Sequence, residues 1–248
     1  MTTLNLGAKV FCQTIGPKDA KIMLVGEAPG AEEHATGLPF VGNAGKTLNQ
    51  LLPAAGLSRA EVLITNVARE QPPGNKIDFF FEDSKCTKPK PILSKWIQLL
   101  KEEIQELRPN IVVALGRTAC WALTGQGSIK AARGYIWSSS LVPGLKVLPT
   151  WHPQACDYQY ELRWPAIMDL RKAVRNSETP DFPKDDRILK ASPSKREFID
   201  YLKYLYYEHE GPISLDVENT VKAHIDIVGF ADSDKHGMSF AFITNKEP

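Results

Sequence analysis

The residues best suited to chemistry are concentrated in a glycine-rich segment near the N-terminus. Residues 26–33 read Gly-Glu-Ala-Pro-Gly-Ala-Glu-Glu, and residues 37–45 contain three further glycines. The segment lacks the G-x-G-x-x-G spacing of a dinucleotide-binding loop, and Glu27 and Glu33 would repel phosphates. The pattern therefore argues against a nucleotide cofactor. Carboxylates of this kind can instead stabilise an electron-poor sugar or orient a water molecule, as they do in glycoside hydrolysis.

The other polar candidates follow predicted strands. Apolar runs predict strands at 21–25, 62–65, 111–115 and 146–148, and helical spacing of apolar residues predicts helices at 44–55, 92–107, 118–123 and 163–174. This alternation predicts a three-layer αβα domain with a central four-stranded parallel sheet. Because such sheets bind ligands beyond the carboxyl ends of their strands, Glu27, Asn66, Gly116 and His152 should lie along one rim.

These segments resemble, in their order along the chain, the family 4 type of uracil-DNA glycosylase. The matching motifs are residues 26–33, 37–45, 64–67, 72–76, 114–119, 133–134 and 150–153. Each motif alone is weak evidence, but the ordered set is specific and covers nearly all of residues 20–175. The resemblance implies an α/β domain that binds DNA and takes a flipped-out uracil into a pocket.

The resemblance also implies which residues bind the base. It places Phe40 against the uracil ring and Asn75 at a further polar position near the active site. The Asn66 amide has both a donor and an acceptor, so it can face uracil O4 and N3, where cytosine presents the reversed pattern. The alternative is that both residues have only structural roles, with Phe40 packed in the core and Asn66 capping a helix or turn.

The residues implied for catalysis are two glutamates and one histidine. Glu27 and Glu33 are the candidates for stabilising the electron-poor sugar or orienting the attacking water. His152 matches the family position that donates to uracil O2 as negative charge develops there. The resemblance implies no lysine that forms a Schiff base with the sugar, so we expect a monofunctional enzyme in which water attacks. The alternative is that neither residue is catalytic, in which case Glu27 is a solvent-exposed carboxylate and His152 is an ordinary loop residue.

The chain departs from the family at its cysteines. Many members hold an iron–sulfur cluster with four cysteines, but Cys12 is not part of a C-x-x-C pair and Glu70 occupies the third ligand position. Cys86 lies in the region of the fourth ligand, at a longer spacing from Pro109 than in the family. A cluster needs about four ligands, so we expect no iron–sulfur cluster, no other cofactor in this domain, and four free thiols.

A second departure follows the His-Pro motif. In the family, this segment carries apolar residues and an arginine, and a wedge from it fills the gap that the flipped base leaves in the DNA. In this chain, residues 154–160 read Gln-Ala-Cys-Asp-Tyr-Gln-Tyr. Tyr158 and Tyr160 are the candidates for a stacking wedge. The difference favours single-stranded DNA, in which no partner base has to be displaced.

The C-terminal part has a different character. Residues 176–192 are polar and contain prolines, which predicts a linker; a helix at 195–207 and strands at 212–217, 225–231 and 238–244 then predict a short α+β segment over 193–248. Asp216 and Glu218 resemble the first Asp-x-Glu motif of the 3′–5′ exonucleases of family A DNA polymerases. That resemblance implies Mg²⁺ or Mn²⁺ ligands, but only in a longer chain that supplies the remaining acids; the alternative is a strand with two exposed acids.

Charge and hydropathy restrict the partners. Residues 1–175 have a net charge of +6 and residues 176–248 one of −5, and the basic part suits DNA. No apolar run approaches the length of a membrane span and no secretory signal is evident, so we expect no membrane partner and a cytoplasmic location. The whole resembles the N-terminal part of a phage DNA polymerase acting in an infected bacterial cell. Three hypotheses for the function remain open: an active glycosylase, a weakly active or inactive uracil- or DNA-binding module, and a domain that only contacts other proteins.

Overall fold

A computed structural model describes residues 11–183, 188–218, 227–233 and 236–241 of the protein. The chain forms two compact units, Met1–Phe182 and Pro183–Pro248, and each is described by itself. Among the described residues, every helix is too short or too polar to cross a membrane.

The first unit is built on a five-stranded sheet with the order β2-β1-β3-β5-β4. Its strands are β1 (Ile22–Gly26), β2 (Leu63–Asn66), β3 (Ile111–Leu115), β4 (Trp137–Ser138) and β5 (Lys146–Thr150). The predicted α/β fold is confirmed, and its four parallel strands are β1, β2, β3 and β5. The fifth strand was not predicted, because β4 is a two-residue antiparallel edge that is too short to leave a periodic signal.

Among the described residues of the first unit, seven α-helices pack around this sheet. They are α1 (Ala31–Thr36), α2 (Asn43–Ala54), α3 (Pro91–Leu107), α4 (Arg117–Thr124), α5 (Ile129–Ala132), α6 (Pro153–Tyr158) and α7 (Arg163–Arg175). The four predicted helices correspond to α2, α3, α4 and α7. The short helices α1 and α6 begin within the two motifs that carry the glutamates and the histidine, so Glu33 lies in α1 and His152 is the N-cap of α6.

The core consists of two apolar clusters, one on each face of the sheet. Met23 and Val25 of β1 belong to the cluster that includes side chains of α3 and α4, whereas Ile22 and Leu24 belong to the cluster with α2 and α7. Strands buried on both faces read as continuous apolar runs, which is why the sequence located them. The rigid sheet fixes the positions of the loops at its carboxyl edge.

The described part of the second unit contains one helix and a four-stranded sheet. These are β6 (Ile188–Lys190), α8 (Lys195–Tyr207), β7 (Ser214–Glu218), β8 (Ile227–Ala231) and β9 (His236–Ala241), with sheet order β6-β9-β8-β7. Ser194 and Glu197 form a capping box at the start of α8, whose bounds agree with the predicted helix. Predicted strand residues 225–226 and 242–244 lie outside the described residues.

The predicted linker, residues 176–192, differs from the observed boundary. Its first part belongs to the first unit, since the buried Lys146 ammonium donates to the carbonyls of Thr179 (2.6 Å) and Asp181 (2.8 Å). Its last part contains β6, which pairs in parallel with β9. The observed division falls between Phe182 and Pro183, because backbone contacts, which composition does not reveal, hold both ends of the polar segment.

Candidate functional site

A cavity of about 290 Å³ opens at the carboxyl edge of the first unit's sheet. All six candidate residues of this unit line it, and they come from separate segments of the chain: Glu27, Glu33, Phe40, Asn66, Asn75 and His152. The parallel register brings them together, because Gly26 at the end of β1 pairs with Asn66 at the end of β2, and His152 follows β5. The cavity is at the lower end of the usual size range for ligand pockets.

Phe40 and Asn66 form one wall of the cavity. A Cβ atom at Gly26 would lie 2.4 Å from Asn66 Oδ1 and 2.5 Å from Phe40 Cζ, so only glycine permits this approach. Phe40 is buried and has a φ of 53°, a strained conformation for an aromatic residue and one typical of functional sites. Its ring centroid lies 5.7 Å from that of His152.

The Asn66 amide contacts a buried thiol. Asn66 Nδ2 donates to Cys12 Sγ at 3.9 Å, and both residues are almost fully buried. Desolvation by burial raises the pKa of Cys12 to about 11, so the sulfur stays protonated. The sequence analysis expected Cys12 to be a free thiol but did not predict this contact.

Glu33 serves as a clamp for the loop that carries Phe40. Its Oε1 accepts from the backbone amides of Val41 (3.0 Å) and Gly42 (2.8 Å), and its Oε2 accepts from Gly30 N (3.1 Å). Three backbone donors fix this buried carboxylate, which makes it better suited to positioning the loop than to moving a proton. The sequence alone treated Glu33 and Glu27 as equivalent.

Glu27 has a different environment. It is half-buried, and one carboxylate oxygen accepts from the Thr118 hydroxyl at the start of α4. Desolvation by burial raises the pKa of Glu27, an effect opposed by the Thr118 hydrogen bond and the charge of Arg117. A carboxylate with a raised pKa is a stronger base, so Glu27 is the better candidate for activating water. Thr118 lies within a matched motif, but its partner was not predicted.

His152 is held as a neutral hydrogen-bond donor. It is the N-cap of α6, and its Nδ1 accepts from Gln154 N at 3.2 Å. This hydrogen bond assigns the proton of the neutral ring to Nε2. Desolvation lowers the pKa of His152 to about 4, although the negative charges of Asp157 and Glu33 oppose the shift. At neutral pH the ring can therefore donate from Nε2 without carrying a charge.

The mouth of the cavity has further polar groups. Asn75 has a φ of 57° and its Oδ1 accepts from Gln71 Nε2 at 2.7 Å, which orients the amide. Asn43 and Gln154 also line the cavity and were not predicted. Asn43 lies inside the glycine-rich segment, so its place in the motif was the available signal.

The cysteines do not fit a four-thiolate cluster. All four are buried free thiols, but Cys86 and Cys120 belong to the apolar cluster on one face of the sheet, and Cys156 to that on the other. Cys12 contacts Asn66 instead. No group of three or more metal-ligating side chains occurs among the described residues. The expectation of no cluster stays a prediction, and no chemical step is assigned to one.

The candidate exonuclease residues lie in the second unit. Asp216 is exposed in β7 and shares a sheet face with Gly229 and Ser239, whereas Phe198 of α8 packs on the other face. Glu218 ends β7 and pairs with Ile227. The two acids occupy the alternate positions that the Asp-x-Glu pattern predicts, and their function stays a prediction.

Comparison with known proteins agrees with this geometry. The sequence model of a family described as the uracil DNA glycosylase superfamily matches residues 13–172. The type-4 uracil-DNA glycosylase of Thermotoga maritima is 36% identical over 162 residues, which cover 64% of this chain and 78% of that protein. The type-4 uracil-DNA glycosylase of Archaeoglobus fulgidus is 34% identical over 164 residues, covering 64% and 77%.

Proposed function

Since the chain belongs to the uracil DNA glycosylase superfamily, we propose that it hydrolyses the N-glycosidic bond between uracil and deoxyribose in DNA. The observation that carries this proposal is the convergence of Glu27, Phe40, Asn66 and His152 on one small cavity. The product is free uracil and an abasic site. The uracil enters the cavity as a flipped-out base, because its N-glycosidic bond is inaccessible within a stacked duplex.

Binding of the base depends on Phe40 and Asn66. The Phe40 ring offers an aromatic face, and the Asn66 amide offers an acceptor for uracil N3–H and a donor for O4. Cytosine has an acceptor at N3 and a donor on the exocyclic nitrogen, so it would leave polar groups unpaired in the cavity. Each unsatisfied buried group costs about 1–3 kcal/mol, which accounts for discrimination between the two bases.

Cleavage depends on His152 and Glu27. As the C1′–N1 bond breaks, its electron pair moves onto uracil, and the Nε2–H of neutral His152 stabilises the charge that develops on O2. The cation-like sugar is stabilised by the Glu27 carboxylate, which also orients a water molecule toward C1′. Water adds to C1′ and its proton passes to Glu27, while the uracil anion takes a proton from solvent.

Water is the expected nucleophile. The described residues that line the cavity include no lysine, so none of them can form a Schiff base with C1′. A product with an intact phosphodiester backbone and an abasic site is therefore expected. Strand breakage should require subsequent treatment with alkali.

The test uses single- and double-stranded oligonucleotides that contain one uracil. We expect alkali-dependent cleavage at uracil, large losses in His152→Ala and Glu27→Gln, and full activity in His209→Ala, a matched control in the second unit. Absence of cleavage, together with retained salt-dependent DNA binding, would favour the alternative function, a uracil- or DNA-binding module. The altered segment 154–160 favours that alternative.

We further propose that this glycosylase acts at the N-terminus of a phage DNA polymerase in the cytoplasm of an infected bacterium. The support is the Asp-x-Glu pair at Asp216 and Glu218 in the antiparallel sheet of the second unit. A longer native protein with a magnesium-dependent 3′–5′ exonuclease that is lost in Asp216→Ala is the expected finding. A longer protein without that activity would contradict the proposal.

A further inference from the structure

Three aromatic side chains extend outward from the segment that follows His152. The exposed fractions of Tyr158, Tyr160 and Trp164 are 79%, 76% and 61%; together they are called the aromatic strip. Large aromatic side chains usually bury most of their surface. Three that remain open within seven residues indicate a surface with a binding role.

Arginines support two rings of the aromatic strip. The guanidinium carbon of Arg163 lies 5.0 Å from the centroid of Tyr160, and that of Arg171 lies 5.7 Å from the Trp164 ring. Such contacts are cation–π interactions. With a cation against one face, each ring keeps a second face available to solvent.

The arginines are themselves held by hydrogen bonds. Arg163 Nη1 donates to Gln50 Oε1 at 2.9 Å, and Arg171 Nη2 donates to the carbonyl of Ala54 at 2.9 Å. Both acceptors belong to α2 or its end, so a rigid helix supports the strip. A ligand that stacks on rings already fixed in place loses less conformational entropy on binding.

The aromatic strip is continuous with the uracil cavity. Gln154 lines the cavity, and its Nε2 donates to the Tyr158 hydroxyl at 3.3 Å. His152 begins the same helix that ends at Tyr158. A strand whose uracil occupies the cavity therefore has neighbouring nucleotides within reach of the strip.

We propose that the aromatic strip is a stacking surface for the bases of single-stranded DNA that flank the uracil. Base–aromatic stacking on an arginine-supported surface is the usual way in which proteins hold single strands without reading their sequence. A duplex conceals its base faces, so the strip should favour single strands. The inference deepens the proposed glycosylase function, but it concerns DNA binding and can be tested without base release.

The test measures binding of a labelled single strand without uracil by fluorescence anisotropy. We expect Tyr160→Ala and Trp164→Ala each to raise the Kd by about tenfold, with a much smaller change for the matching duplex. Tyr160→Phe keeps the ring and should bind normally. Tyr206→Ala changes an equally exposed tyrosine in the second unit and serves as the matched control.

Three outcomes would overturn the inference. They are unchanged single-strand affinity in both alanine variants, an equal loss for single strands and duplex, and a loss in Tyr160→Phe as large as in Tyr160→Ala. The first outcome would indicate that the aromatic strip binds a protein and not DNA. Because no uracil is present, an inactive enzyme still gives a clear answer, so failure of the proposed activity and failure of this inference are distinguishable.

Discussion

The two glutamates of the glycine-rich segment should respond in opposite ways to the same change. Glu33→Gln is expected to destabilise the first unit and raise KM, because the clamp on the Phe40 loop is weakened. Glu27→Gln is expected to lower kcat without loss of stability. Burial raises the pKa of Glu27, so its carboxylate is less favourable in the folded protein than in the unfolded chain, and a neutral amide at this position should not lower stability.

The magnitude for Glu33 follows from its three hydrogen bonds. The remaining oxygen of a glutamine can serve the amides of Val41 and Gly42, but the new Nε2 then faces the Gly30 amide, donor against donor. Loss of one charge-assisted bond costs about 1.5–3 kcal/mol. For a unit of this size, that corresponds to a decrease in melting temperature of roughly 3–12 °C.

Tryptophan fluorescence provides the assay for stability. All five tryptophans lie in the first unit, so the melting curve does not report on the second unit. Loss of the Glu27 base should lower kcat by about 10²-fold or more. The reasoning would be refuted by a Glu33→Gln variant that melts like the parent and loses kcat, or by a Glu27→Gln variant that keeps kcat.

Three further predictions concern the cavity and the expected absence of an iron–sulfur cluster. Gly26→Ala places a methyl group against Asn66 and Phe40, so uracil excision should be lost in glycosylase assays; an active variant would contradict the described wall. Thr118→Val removes the hydrogen bond that lowers the pKa of Glu27, so the acid limb of the kcat/KM profile should move to higher pH, and an unmoved limb would separate Thr118 from Glu27. Iron analysis of the purified protein should find none, and chelators should leave excision unchanged; about four iron atoms per chain would show a cluster.

Part of the site could be predicted from the sequence for a simple geometric reason. Parallel strands align their carboxyl ends, so Asn66 and His152 could be assigned to one rim once their strands were located. The individual strands were recognisable because both faces of the sheet are buried, which produces uninterrupted apolar runs. The resemblance to the family then suggested a role for each side chain, and these roles stay predictions.

The unpredicted features depend on contacts between residues far apart in the chain. Thr118 and Glu27 are 91 positions apart, and Cys12 and Asn66 are 54 apart. No local pattern encodes such pairs. The strand β6 was missed for a different reason, because a three-residue strand within a polar segment is below the length at which periodicity can be detected.

The segment that contains Cys12 is held by a polar network where the family pattern has cluster ligands. Arg69, next to the Glu70 that occupies a ligand position, is buried and donates to Thr65 (2.6 Å) and Thr14 (3.1 Å). It also pairs with Glu103 of α3.

This network ties the N-terminal segment to β2 and α3. The backbone amide of Cys12 donates to the Arg69 carbonyl at 3.0 Å, so the network also fixes the thiol beneath Asn66. A buried ion pair contributes little net stability but is costly to break on one side only. The position of the Asn66 amide, which we propose contacts uracil, therefore depends on Arg69 as well as on its own strand. The contacts of Arg69 with Thr14, Thr65 and Glu103 hold together the segments that carry cluster ligands in the family pattern.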